Sequence, residues 1–242
     1  MPGLKSISVT FLLLLFLPCV VPAQDLNYEE IFADDWRKAE AFERENKHWI
    51  EPLLNENHLS YELVMAVLFP ELIRYSALRD KMETTLLKGL YVNLGDEYAD
   101  FSVGQFQVKP SFASVIRTES HEFLGKDQAT LFRLPEQYDD ITNYRKSIVV
   151  DLEDPRTEFN YIIAFFKICE KKFSTGRMND EEKIRFFSAA YNTGIDKSEE
   201  QIRSMISKKF FSTKIIKSET YCYSDISLFR YRKEKGRGSR LI

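Results

Sequence analysis

The acids of this chain are its best candidates for chemistry, because other reactive constellations are missing from the sequence. It contains no glycine-rich phosphate loop, no cysteine pair at zinc spacing and no Gly-x-Ser-x-Gly elbow. Its three histidines, His48, His58 and His121, lie far apart without metal-ligand spacing. No metal or other cofactor is therefore expected. Among the carboxylates Glu71 is singular: it follows Val67-Leu68-Phe69-Pro70 and precedes Leu72-Ile73. Burial in such an apolar run disfavours the ionised form, and a raised pKa lets a carboxyl group donate a proton near neutral pH. The plainer reading is a solvated Glu at a helix start, favoured there by the helix dipole.

Two downstream segments bear on the choice. Residues 102–113 read Ser-Val-Gly-Gln-Phe-Gln-Val-Lys-Pro-Ser-Phe-Ala, and residues 189–194 read Ala-Ala-Tyr-Asn-Thr-Gly. With the apolar helix leading into Glu71, this order resembles the lysozyme-like catalytic domain of soluble lytic transglycosylases. In that family a Glu ends an apolar helix, a Gly-Leu-Met-Gln-hydrophobic-x-Pro-Ser-x-Ala segment follows, and then Ala-Ala-Tyr-Asn-Ala-Gly. The resemblance covers about residues 60–195. Leu72 stands where the family has Ser, Gln105 where it has Leu, and Phe106 where it has Met.

The resemblance implies an enzyme that cleaves the MurNAc-β-1,4-GlcNAc bond of peptidoglycan glycan strands, leaving a 1,6-anhydro-MurNAc end. Glu71 would be general acid and then general base. Gln107 would bond sugar or acetamido groups, Asn192 would contact the glycan, and Tyr191 would hold Glu71 through its hydroxyl. Gly104 would let the backbone approach the sugar. One alternative is a goose-type, lysozyme-like hydrolase using Glu83, Asp96, Glu97 or Asp100 to hold a water. Another is a catalytically inactive peptidoglycan-binding protein.

The elements needed to place these residues read as mostly helical. Only nine glycines and eight prolines in 242 residues argue against a turn-dense all-β chain. The expected fold is mainly α-helical, a lysozyme-like α+β arrangement with minimal β structure. Phe32, Trp36, Ala39, Phe42 and Trp49 form one apolar stripe over residues 29–50. Ser60 can cap the next helix, and Pro70 predicts a kink or restart at Glu71. Helices are expected over residues 77–92 and 107–118, the latter with Pro110 in its first turn. Others should run from Asp154-Pro155 to about Phe173, from Asn179-Asp180 to Tyr191, and over 199–209. Residues 214–228 alternate weakly, as a hairpin or an irregular arm.

Lys5, the apolar run Val9–Pro18 and Val21-Pro22-Ala23 read as a signal peptide over residues 1–23. That predicts export to the periplasm or cell envelope. A lysozyme-like domain is then expected over 24–229, with its core at 60–195, and a basic tail over 230–242. The tail reads as a frayed, solvated terminus, with loose envelope association as its functional alternative. Losing Lys5 takes the net charge from −3 to −4, which gives no electrostatic reason to seek nucleic acid. A monomer is expected. Cys169 and Cys222 could pair in an oxidising compartment, or Cys169 could be a buried thiol.

Overall fold

A computed structural model describes residues 26–78, 84–99, 101–125, 131–132, 139–213 and 219–238. The expected signal peptide, Glu83, Asp100, residues 214–218 and Arg240 lie outside these residues. Among them the chain is mainly α-helical, with nine α-helices and one two-stranded antiparallel sheet. The helices are α1 (Tyr28–Glu56), α2 (Tyr61–Leu78), α3 (Thr84–Leu94), α4 (Pro110–Phe123) and α5 (Ile141–Glu153). They continue with α6 (Pro155–Lys172), α7 (Asp180–Thr193), α8 (Glu199–Met205) and α9 (Tyr223–Gly238). The strands are β1 (Lys209–Phe211) and β2 (Tyr221–Cys222). No helix among the described residues is long and apolar enough to cross a membrane.

Local signals set most helix ends. Ser60 Oγ accepts from the Leu63 amide, and the Asp154 carboxylate accepts from that of Thr157. Asn179 and Glu182 form a reciprocal capping box, as do Ser198 and Gln201. Pro110 and Pro155 occupy first turns, where their missing N–H costs nothing.

The core is built around α2, which packs against α1, α7 and α9. Val64, Val67, Leu68, Phe69 and Ile73 are all fully buried. Trp36 of α1 meets Phe69 at a ring separation of 4.6 Å. Of the kink or restart expected at Glu71, this packing corrects the restart. The helix runs unbroken from Tyr61 to Leu78 with Pro70 inside it. Proline removes one hydrogen bond of the ladder, but burial on three sides holds the turn, and the Tyr223 hydroxyl donates to the Val67 carbonyl at 3.1 Å.

The C-terminal region also departs from expectation. The eighth helix stops at Met205, and residues 209–211 join the small sheet. Where a hairpin or an irregular arm was expected, β2 pairs with β1 and the chain is helical from Tyr223, with α9 carrying the basic residues through 238. Within residues 230–238 the expected tail is helical, and basic side chains in it are paired. Arg230 is 5% exposed and pairs with Glu43 at 2.7 Å, with Glu40 at 3.5 Å and with Glu234. Lys233 pairs with Glu29 and Glu40, and Arg232 with Glu181. Acids on α1 and α7 thus face the bases of α9. Cys169 and Cys222 are both buried and both free, so no disulfide joins them.

Candidate functional site

A cleft of 320 Å³ lies where the C-terminal half of α2, the 102–111 segment and the end of α7 meet. Glu71, Arg74, Gln107, Lys109, Tyr191, Asn192 and Asp196 are among its lining residues. Four of the five residues singled out by sequence therefore share one cavity, although up to 121 positions separate them in the chain. Gly104 is the exception.

Glu71 is 3% exposed. Burial raises its carboxyl above the ordinary glutamate value of 4.5. Arg74, the Tyr223 hydroxyl and Lys109 act in the opposite direction without cancelling that effect. Arg74 Nη1 donates to both carboxylate oxygens at 2.8 Å. The Tyr223 hydroxyl donates to the Val67 carbonyl and lies near enough to Glu71 to favour its ionised form. Tyr223 was missed in the sequence. It sits 152 residues downstream, in a segment expected to be a hairpin or an irregular arm, and no short motif marks it.

Tyr191 corrects an assigned contact. Its hydroxyl donates to the Phe106 carbonyl at 3.0 Å, not to Glu71. Its ring packs on Phe112 and Phe165 at 5.4 and 5.2 Å. Tyr191 thus ties α7 to the 103–108 turn, and burial and the nearby Glu71 charge hold its phenol well above the usual range.

That turn is a tight structure closed by a bridge between Val103 and Val108. Phe106 at its tip is fully buried and packs on Phe42 and Phe159. Gln107 takes a left-handed conformation, with φ of 57°, and its amide nitrogen donates to the Gly104 carbonyl at 3.0 Å. A non-glycine residue held there stores about 1–2 kcal/mol of strain.

Gly104 faces away from the role expected for it. Its φ is 73°, and a Cβ added there would lie within 2.5 Å of both oxygens of Glu158, so it is not placed to meet a sugar. Glu158, on α6, is fully buried and accepts from the amides of Gln105 and Phe106, each at 3.0 Å. Desolvation pushes its carboxyl well above the ordinary range against those bonds. The sequence signal for Glu158 was its position inside the apolar stretch of α6, next to Phe159 and one turn from Ile162.

Asp196 is the other acid at the cleft wall, beside the Gly194 turn and paired with Lys197 at 2.5 Å. Asp96 and Glu97 do not line the cleft. Asn192 borders both this cleft and a second hollow formed with Gln201, Met205 and Phe210. Among the described residues, no group of three or more His, Cys, Asp or Glu side chains is placed to hold a metal ion. Compared with protein-family models, curated proteins and solved structures, the chain matches none of them.

Proposed function

We propose that this protein is a peptidoglycan lytic transglycosylase in which Glu71 is the single acid/base group. The observation that carries the reading is one buried carboxyl with a raised pKa, set in a cleft whose walls also hold Gln107, Tyr191 and Asn192. A buried Glu with a raised pKa retains a proton at pH values where an exposed one has lost it. It would first protonate the glycosidic oxygen between MurNAc and GlcNAc. The resulting carboxylate would then take the proton of the sugar's own 6-hydroxyl as that oxygen closes the 1,6-anhydro ring, and no water is consumed. Gln107 and Asn192 would contact the glycan. Glu158 cannot serve as a second acid, because both its oxygens are occupied by backbone amides. The expected signal peptide fits this reading, since it would export the chain to the periplasm or cell envelope, where the substrate is.

One observation favours a second reading. Asp196 shares the cleft, so a hydrolase in which Asp196 holds a water is the alternative. Muropeptide mass spectrometry on digests by the mature chain separates the two. Anhydro ends, lost in Glu71→Gln and retained in Asp196→Asn, support the transglycosylase. Reducing ends that disappear in Asp196→Asn point to the hydrolase. Equal clearing of peptidoglycan by wild type and Glu71→Gln, or by neither, removes the catalytic assignment.

A further inference from the structure

Arg74 plays no part in the acid/base scheme, yet it is bonded to the acid. Its Nη1 bridges both oxygens of Glu71, and its guanidinium lies over the Phe211 ring at 4.7 Å. The Glu71 side chain is 5% exposed and that of Arg74 21%, so the cation is the half of the pair that faces the open cleft. In this arrangement both carboxylate oxygens are covered. A general acid must instead carry a proton and aim one oxygen at the leaving group. Proton donation therefore requires the guanidinium to move.

The surroundings make an exchange of partners feasible. Glu71 faces Arg74 on its own helix, Tyr223 of α9, Tyr191 of α7 and Lys109 ahead of α4, with Asp196 on the same cleft wall. A guanidinium keeps its stacking on an aromatic face when it changes anions, and its planar fork matches any carboxylate. We propose that Arg74 is the anion-recognition residue of the cleft: a carboxylate on the bound sugar draws Arg74 from Glu71, which anchors the ligand and frees the acid. This rests on the glycan-cleaving reading above. Muramyl sugars carry such a carboxylate, either on the lactyl ether or on the attached peptide, whereas N-acetylglucosamine carries none. Arg74 would thus select the muramyl side of the scissile bond.

Calorimetric titration of the mature protein tests this without any need for turnover. The probes are N-acetylmuramic acid with its methyl ester, and muramyl dipeptide with its amide. The wild type should bind at least one acid about tenfold more tightly than its neutral partner, the worth of one charge-assisted hydrogen-bond pair. The pair that discriminates identifies the lactyl or the peptide carboxylate as the source. Arg74→Gln should bind acid and neutral forms alike, and Arg74→Lys should keep part of the preference, which controls for folding. No discrimination by wild type, including no binding of either acid, overturns the proposal, as does discrimination retained in Arg74→Gln. Absence of discrimination by the wild type, with Glu71-dependent cleavage intact, sinks the Arg74 role alone. Discrimination without any cleavage sinks the functional reading and leaves Arg74 standing.

Discussion

Gly104→Ala tests the geometry under the cleft most directly. The added Cβ would lie within 2.5 Å of both Glu158 oxygens, far inside van der Waals contact. The carboxylate cannot swing aside easily, because it is fully buried and holds two backbone amides at 3.0 Å. Holding a non-glycine residue at a φ of 73° costs about 1–2 kcal/mol. Forcing an atom into a filled core adds about 1–3 kcal/mol. The total is about 3 kcal/mol, which for a chain of this size lowers Tm by about 6–12 °C. Urea unfolding should show the same loss with an unchanged m-value. The two residues should also be coupled: Glu158→Ala should cost at least about 1 kcal/mol less in the Gly104→Ala background than in wild type. A Gly104→Ala protein that melts within 1–2 °C of wild type (below about 1 kcal/mol) would refute the placement of Gly104 against Glu158.

Other expectations follow from the same contacts. Because the Glu71 pKa is raised on folding, the unfolded chain releases that proton first as pH rises. The wild type therefore loses stability relative to Glu71→Gln as pH climbs above 4.5, and paired melts at acid and neutral pH should show the gap growing. Arg230→Ala leaves Glu43 buried without its 2.7 Å partner and should cost about 3 kcal/mol, measured by denaturant unfolding. Tyr191→Phe strips the buried Phe106 carbonyl of its donor and should cost about 1–2 kcal/mol, with glycan cleavage reduced if the 103–108 turn shifts.

Helix content, most helix starts and the acid itself were legible in the sequence because they depend on neighbours in the chain. Ser60, Asp154 and Asn179 cap by reaching three residues ahead, and an apolar run around Glu71 forecasts burial by composition alone. The ordered segments around Gln107 and Tyr191 identified partners that the fold brings to one cleft. What lies across the chain was not legible. Pro70 stays helical because α1, α7 and α9 enclose it. The basic residues of α9 are ordered because acids nearly 200 positions upstream face them. Tyr223 reaches Glu71, Tyr191 bonds Phe106 and Gly104 makes room for Glu158 through contacts that no local pattern encodes. Sequence thus determined that Glu71 would be desolvated. Tertiary structure decided what touches it, since burial follows from local hydrophobicity, whereas hydrogen-bond and ion-pair partners follow from how distant helices pack.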